Sequence, residues 1–261
     1  MSIRVGVFGA AGRMGRTVCS AVVADPELEL VAAVDPFHAG LDLRPVAGVD
    51  IDLHVLPAPE ALADLAIDVV VDFTDATAAR ENLRWCAGAG IHAVVGTTGL
   101  TEDDLRQLRS IFTTSNCLIA PNFAIGAVVM MRLAELAAPW FSSMEVIEAH
   151  HDAKIDAPSG TSLLLAERLA AAGRREDDAT VNQVLAGARG ADGPGGIPIH
   201  SVRVRGMVAH HEVLLGTTGQ SLTIRHDSYD RSSFMPGVLL AVKAVADRPG
   251  LTVGLDSLLD L

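Results

Sequence analysis

The stretch "VGVFGAAGRMG", residues 5–15, has a glycine at every third position from Gly6 to Gly15. It follows a short apolar run and opens a segment with helical periodicity, so it predicts a strand, a tight turn and a helix. Glycines at such a turn let backbone N–H groups approach a pyrophosphate at the positive end of the helix. The spacing is not the commonest G-x-G-x-x-G, because residue 11 is Ala, and glycines here also permit close packing without a ligand. The motif therefore indicates dinucleotide binding only together with its surroundings.

The first half of the chain alternates apolar, β-branched runs with helical segments. The predicted strands are 3–9, 28–35, 68–74, 92–98 and 117–121, and the predicted helices include 77–90 and 101–112. Thr101 is the predicted N-cap of the last of these helices. Strands that are apolar throughout are typical of parallel sheets covered on both faces. The alternation predicts an α/β fold with a Rossmann-type, doubly wound parallel sheet.

Asp35 ends the second predicted strand. A carboxylate at this position can accept hydrogen bonds from both hydroxyls of an adenosine ribose, or it can simply cap a turn. Pro36 and Phe37 follow it, where a basic residue often binds a 2′-phosphate, so the sequence favours NADH as the cofactor. Arg13 or Arg16 in the glycine-rich turn could still serve NADPH.

The fourth and fifth predicted strands end in "GTTG" (96–99) and "APNF" (120–123). Both motifs fall at the carboxyl edge of a parallel sheet, where ligands bind. They can line a nicotinamide and its ribose, or they can be plain turn and capping residues. Spacing alone does not separate these two interpretations.

The second half of the chain has a different pattern. It begins with a predicted helix at about 124–140, and three strand-like runs follow a Gly/Pro-rich segment, at 200–206, 208–219 and 220–228. Short links, such as the turn at Gly219, favour an antiparallel or mixed sheet. A last predicted helix, at about 233–247, has the apolar period to pack on the first domain. We therefore expect a dinucleotide-binding domain, 1–123 completed by 232–261, and an α+β domain, 124–231, for substrate binding.

Composition limits the function. The 261 residues carry a formal net charge of −12 and give a pI of about 5.1, which argues against nucleic acid or an anionic membrane as the main partner. The three cysteines, Cys19, Cys86 and Cys117, are widely spaced, which predicts buried thiols in a reducing compartment. Without a secretory layout or a membrane-spanning run, the sequence predicts a cytoplasmic protein.

The segment "EAHHDAKIDAPSGT", residues 148–161, concentrates ionisable groups. Adjacent histidines on an extended segment point to opposite faces, so His150 and His151 do not readily share a metal ion. The same holds for the pair at 210–211. No metal is predicted, although a site assembled from distant residues and a simple solvated loop are alternatives.

A catalytic interpretation fits this segment better. Ser159 or Thr161 suits the N-cap of an apolar helix, and Gly160 allows close approach to its exposed N–H groups, which makes a carboxylate-binding site. Lys154 adds a positive charge, and the histidines can supply a proton. The segment thus combines an anion site with an acid, as reduction of an acidic, unsaturated substrate requires.

Five motifs in this order resemble the 4-hydroxy-tetrahydrodipicolinate (dihydrodipicolinate) reductase family of the diaminopimelate and lysine pathway. They are "GAAGRMG", "DFT", "GTTG", "APNFAIG" and "EAHHDAKIDAPSGT", and the likeness continues through "GARGADGPGGIPIHSVR" and "LTIRHDS". The fifth motif is highly specific for the family. The resemblance covers the chain from its first strand to its last helix.

The resemblance implies a role for each site residue. His150 would donate or accept a proton, Lys154 would be a proton donor, and His151, Gly160 and Thr161 would hold the carboxylates of a cyclic dicarboxylate substrate. The implied cofactor residues are Gly9, Ala10, Ala11, Gly12, Arg13 and Met14 at the pyrophosphate, Asp35 at the ribose, and Gly96, Thr97, Thr98, Ala120, Pro121, Asn122 and Phe123 at the nicotinamide. The resemblance also implies a homotetramer built through sheets of the second domain, here 124–231, and an enzyme that often accepts either NADH or NADPH.

Two departures and three rival functions accompany this resemblance. The family often has a proline two residues after "DFT", where this chain has Ala76, and some members have arginine at the position of Pro36. The rivals are a catalytically silent NAD(H) sensor, a related oxidoreductase with another small acidic substrate, and a zinc hydrolase.

We also expect domain closure, with hinges near 122–123 and 232–233, and either a lid or a surface loop at 186–198.

Overall fold

The computed structural model describes residues 2–173 and 182–260. The chain divides into two compact units, the first made of Met1–Phe123 and Phe234–Asp260, and the second of Ala124–Ser233. The helices are α1 (Arg13–Ala24), α2 (Leu43–Ala47), α3 (Ala76–Ala89), α4 (Glu102–Ile111), α5 (Ile125–Ala137), α6 (Gly160–Ala172) and α7 (Met235–Ala244). The strands are β1 (Ile3–Phe8), β2 (Leu28–Val34), β3 (Val69–Asp72), β4 (His92–Val95), β5 (Cys117–Ile119), β6 (Ser143–His150), β7 (Ala191–Asp192), β8 (Pro198–Arg203), β9 (Ala209–Thr217), β10 (Gln220–Ser228) and β11 (Leu251–Val253).

The first unit contains a parallel sheet with the strand order β11-β5-β4-β3-β1-β2. Every neighbouring pair is parallel, and helices link the strands, so the predicted Rossmann-type fold is confirmed. All four residues of β3 are buried, as expected for a strand covered on both faces. Edge strand β11 was not predicted from the sequence.

Side chains start two helices of this unit. Thr101 caps α4 as predicted and forms a reciprocal capping box with Asp104. Asp75 caps α3, accepting hydrogen bonds from the N–H groups of Thr77 and Ala78. The aspartate therefore starts the helix in the loop where the family often has a nearby proline. Helix α7 packs against α1 in this unit.

The second unit contains a mixed sheet with the order β10-β9-β6-β8-β7, which confirms the predicted α+β character. Strand β6 pairs with β8 in parallel and with β9 antiparallel. Strands β9 and β10 form the predicted hairpin, with Gly219 at φ +79° in its turn. Strands β8 and β9 follow each other in sequence but are not neighbours, because β6 lies between them, so a short link did not mean direct pairing there.

Strand β6 has one buried face. Met144, Val146, Glu148 and His150 are buried, whereas the alternate residues between them are partly exposed. Helix α6 packs against this strand. The period of two thus places a carboxylate and an imidazole on the same covered face.

Within residues 2–173 and 182–260, no helix combines the length and hydropathy needed to cross a membrane.

Candidate active site

The glycine-rich turn is anchored to the end of β2. The N–H groups of Gly9 and Ala10 both donate to the carbonyl of Val34, at 2.9 and 3.1 Å. Gly9 has φ +70°, a conformation that favours glycine. A Cβ on Gly15 would lie 2.0 Å from the carbonyl oxygen of Gly9. The turn therefore depends on glycine at two positions, one for its dihedral angle and one for close approach.

The start of α1 is open for an anion. Gly12 is the N-cap and has no side chain to accept from the helix, and the N–H groups of Arg13 and Met14 in the first turn have no intrahelical acceptor. The N–H groups of Gly9 to Gly12 instead donate within the protein. The residues thus fit a pyrophosphate at the positive helix end, with Arg13 and Met14 as the direct backbone donors.

Asp35 connects this turn to the ribose end of the predicted site. It is 8% exposed; its Oδ2 accepts from the N–H of Ala11 at 3.3 Å, and its Oδ1 accepts from the N–H of Phe37 at 3.1 Å. The same Oδ1 lies 2.9 Å from Nδ1 of His38. These three contacts occupy about three of the four acceptor sites of a carboxylate, so one site is left for a ribose hydroxyl, whereas two hydroxyls were predicted.

A cleft of about 510 Å³ lies along these residues. Gly9, Gly12 and Asp35 line it together with Phe37 and Thr74. Its volume falls in the usual range for small-molecule sites. The first unit therefore offers a cleft of suitable size beside the anion site.

Asp72 organises the loops that follow β3 and β4. This fully buried carboxylate accepts hydrogen bonds from the side chains of Thr74 at 2.6 Å, Asn82 at 2.8 Å and Thr97 at 3.0 Å. Its carbonyl accepts from the N–H of Gly96 at 2.9 Å. Thr97 is therefore turned towards the protein, whereas Thr98 is exposed. This role of the aspartate in "DFT" could not be predicted from the motif alone.

The loop after β5 lies on the same sheet edge. The N–H of Ala120 donates to the carbonyl of Val95 at 3.1 Å, and the ring of Phe123 lies 5.8 Å from that of Phe73. Ala120 and Phe123 are buried, Asn122 is partly buried and Pro121 is exposed. The helix that follows begins in the second unit. The buried members shape this edge.

The ionisable segment of the second unit starts at the end of β6. His150 is buried and its Nδ1 contacts a carboxylate oxygen of Glu148. The neighbouring His151 is partly exposed, in line with alternation along an extended chain. Lys154 lies on the loop that follows, with its Nζ 2.7 and 2.8 Å from the carboxylate oxygens of Asp156.

Ser159 starts α6. Its Oγ accepts from the N–H of Ser162 at 3.2 Å and lies 3.2 Å from Nε2 of His211. Gly160 and Thr161 form the first turn, where N–H groups have no intrahelical acceptor. A Cβ on Gly160 would meet no described heavy atom within 4 Å. This helix start can therefore bind a carboxylate group from outside.

Sequence analysis missed several partners of these residues. Glu148 is fully buried and pairs with Arg203 at 2.9 Å. The ring of His211 lies edge-on to that of His150, with centroids 5.4 Å apart. Burial, followed by repulsion from His150, lowers the pKa of His211 to about 4. The period of two between Glu148 and His150 could have revealed the first contact, but the other partners come from distant strands.

Among residues 2–173 and 182–260, no group of three or more His, Cys, Asp or Glu side chains could hold a metal ion. The arrangement instead supplies a buried imidazole, an ammonium group and a helix start within one unit. These groups can transfer a proton and hold an acidic ligand.

Two family models match the chain almost end to end. "Dihydrodipicolinate reductase, N-terminus" matches residues 3–123, and "Dihydrodipicolinate reductase, C-terminus" matches residues 126–259. The chain is 51% identical to the 4-hydroxy-tetrahydrodipicolinate reductase of Corynebacterium urealyticum over 267 residues, covering 99% of each chain. It is also 51% identical to that of Nocardia farcinica over 269 residues, covering 100% of each.

A solved structure extends this similarity to the fold. The dipicolinate-bound dihydrodipicolinate reductase from Paenisporosarcina sp. TG-14 matches with a TM-score of 0.86 at 39% identity, covering 98% of this chain and 99% of that one.

Proposed function

This chain belongs to the dihydrodipicolinate reductase family, and we propose from that membership and from its site that it reduces 4-hydroxy-tetrahydrodipicolinate to tetrahydrodipicolinate in diaminopimelate and lysine biosynthesis. The observation that carries the proposal lies in the second unit, where the ring of His150 faces that of His211, and His211 contacts Ser159 at the open start of α6. Lys154 lies on the loop between β6 and that helix. The reaction adds a hydride and a proton to the substrate and releases water. A dicarboxylate site with an adjacent acid is the arrangement that such chemistry needs.

The cofactor is a pyridine nucleotide, and NADH is the proposed preference. When bound, the reduced nicotinamide supplies the hydride. Arg13 and Met14 would hold the pyrophosphate through backbone N–H groups, and Asp35 would accept from a ribose hydroxyl. Pro36 and Phe37 favour NADH because they offer no cation to a 2′-phosphate.

The substrate carboxylates are held by the segment that begins at His151. Gly160 and Thr161 present N–H groups at a positive helix end, and Gly160 leaves space for a close approach. His151, at the start of the segment, is partly exposed and can donate from its ring. Lys154 adds a full positive charge, with Asp156 as its partner. These groups would orient the ring for reduction.

The proton is proposed to come from Nε2 of His150, with Lys154 as a second donor. The Nδ1 atom of His150 already contacts Glu148, so Nε2 is the ring nitrogen left to exchange a proton with a ligand. Lys154 is one of two lysines in the chain, the other being Lys243. A lysine here provides a compact charge that can also give up a proton, which arginine does not.

A homotetramer built through the mixed sheet is proposed as the assembly. The partly exposed face of β6 includes Ile147, and Val202 on β8 is 39% exposed. Apolar side chains on an open sheet face favour burial by another chain. Sedimentation velocity tests this assignment, since a monomer of 27.3 kDa across micromolar concentrations would contradict it.

Replacing each lysine in turn tests the catalytic assignment. Lys154→Ala should reduce kcat at least about a hundredfold, the lower part of the range for a positioned acid, while the Kd for NADH changes less than about twofold. Lys243→Ala is the matched control, because Lys243 pairs with Asp25 and Glu27 in the first unit. An equal loss of NADH affinity and turnover in Lys154→Ala would contradict the assignment.

A ligand test separates this function from its rivals. Pyridine-2,6-dicarboxylate is a flat dicarboxylate that mimics the substrate ring, and it should bind the wild-type protein and bind Lys154→Ala more weakly. A sensor of NAD(H) or a dehydrogenase for another substrate should ignore it. Titration calorimetry measures both outcomes.

A further inference from the structure

Glu148 is a buried carboxylate beside the imidazole of His150, the proposed proton donor. Its exposed fraction is 0%, and it precedes His150 by two residues on the covered face of β6. One oxygen contacts Nδ1 of His150 and also accepts from Nη1 of Arg203 at 2.9 Å, while the other oxygen accepts from Nη2 of Arg203 at 2.9 Å. The carboxylate thus joins an imidazole and a guanidinium in one buried ion network.

This network keeps Glu148 ionised. Burial alone raises the pKa of a carboxyl group, but the hydrogen bonds from His150 and Arg203 outweigh burial and lower the pKa of Glu148 to about 2. Arg203 holds the carboxylate through two parallel hydrogen bonds, a geometry that fixes orientation as well as charge. The negative charge beside Nδ1 is therefore present throughout the neutral pH range.

The neighbouring histidine, His211, has a different hydrogen-bond partner. Its Nε2 contacts the hydroxyl of Ser159, and burial, followed by repulsion from His150, lowers its pKa to about 4 and so keeps it neutral. His226 lies opposite His211 on β10 and adds a further repulsion. Of the two facing imidazoles, only His150 contacts a carboxylate.

The contact also selects the nitrogen that reacts. A carboxylate can only accept, so the Nδ1 atom of His150 must carry the hydrogen. The other nitrogen, Nε2, then accepts a hydrogen bond when the ring is neutral and donates one when the ring is charged. Arg203 extends this control to the loop of Lys154, because its Nη2 donates to the carbonyl of Asp156 at 2.7 Å.

From these contacts we propose that Glu148, held by Arg203, is the positioning residue that fixes the tautomer and orientation of His150 and keeps its transferable proton at Nε2. The inference rests on the proposed function, since it names what prepares the proposed acid for proton transfer. Glu148 acts through His150 and does not itself touch the substrate.

The variant Glu148→Gln tests the proposal, because it keeps the shape and removes the charge. We expect kcat to fall by at least about a hundredfold, as on loss of a positioned acid, with the KM for the dicarboxylate and the Kd for NADH changed less than about threefold.

The chain provides a closely matched control. Glu145 lies on the same strand and pairs with Arg189 and with His200, the latter at 2.7 Å, but it is on the partly exposed face. Glu145→Gln removes an equivalent carboxylate away from His150 and should leave kcat unchanged. Equal effects of the two variants on kcat would overturn the proposal, as would wild-type kcat in a folded Glu148→Gln protein.

A measurement on the unmodified protein covers the case in which Glu148→Gln fails to fold. Ring ¹⁵N shifts of labelled histidine, with His150→Asn to assign the signals, should show neutral His150 protonated at Nδ1. Protonation at Nε2 would overturn the proposal. This readout does not need turnover. An inactive wild-type enzyme with the expected tautomer would therefore refute the proposed reaction, but it would leave the positioning of His150 by Glu148 unaffected.

Discussion

Gly15 offers the sharpest test of how the glycine-rich turn works. A Cβ at this position would lie 2.0 Å from the carbonyl oxygen and 2.7 Å from the carbonyl carbon of Gly9. The atoms must separate by at least about 1 Å before even a tight contact is reached. Both partners are backbone, so the turn or the start of α1 has to move. The N–H groups that we assign to the pyrophosphate move with it.

The expected cost follows from two opposing terms. Forcing extra volume into a packed site costs about 1–3 kcal/mol and occasionally more, and this backbone clash belongs at the upper end. Alanine in a helix recovers about 1 kcal/mol relative to glycine. Gly15→Ala should therefore lose about 2 kcal/mol of unfolding free energy and at least about tenfold in NADH affinity.

Gly88→Ala is the matched control for this prediction. Gly88 also lies inside a helix of the first unit, but it is exposed and an added Cβ would meet no described heavy atom within 4 Å. The same substitution should there raise stability by about 0.5–1 kcal/mol. Urea denaturation and NADH fluorescence titration measure both variants. Wild-type stability and NADH affinity in Gly15→Ala would refute the steric argument.

Further predictions concern the cap, the thiols and acid stability. Ser159→Ala should lose about 1 kcal/mol of unfolding free energy, because the hydroxyl caps α6. It should also weaken the binding of pyridine-2,6-dicarboxylate, measured by calorimetry. Unchanged binding would contradict the placement of the ligand site at the start of α6. Burial raises the pKa of Cys19 to about 12 and also raises those of Cys86 and Cys117. Native protein should therefore not react with Ellman's reagent until urea unfolds it, and rapid native reaction would contradict the buried assignment. Burial raises the pKa of Glu148, but hydrogen bonds from His150 and Arg203 outweigh it and lower the pKa from 4.5 to about 2. The ionised carboxylate therefore stabilises the folded protein fully above about pH 4.5, and this contribution is lost as the pH falls towards 2. Over that pH window, the urea midpoint of unfolding should drop more steeply in wild type than in Glu148→Gln. Parallel plots of midpoint against pH would contradict the contribution of this carboxylate to stability.

The sequence predicted the parts of the fold that have a local signal. Continuous apolar runs identified β1 to β5, and Thr101 identified the start of α4. Strand β11 escaped because it has three residues and pairs Leu251 with Cys117, which lies far away in the chain. Its strand character comes from that pairing and not from its own pattern.

The site, like the fold, has parts with a local sequence signal and parts that depend on contacts between distant residues. The segment with His150 and Lys154 was conspicuous because its ionisable residues are close in sequence. The partner of Glu148 is 55 residues away at Arg203, and Ser159 meets His211 across 52 residues. These contacts depend on β6 lying between β8 and β9. Sequence spacing alone did not reveal that order.

The reaction itself is tested most directly by absorbance at 340 nm. The protein is mixed with NADH or NADPH in the presence of freshly generated 4-hydroxy-tetrahydrodipicolinate, and each cofactor is also tested without it. We predict oxidation that requires the dicarboxylate and is faster with NADH, as Pro36 and Phe37 suggest. Absence of oxidation with either cofactor, in protein that still binds NADH, would contradict the proposed function.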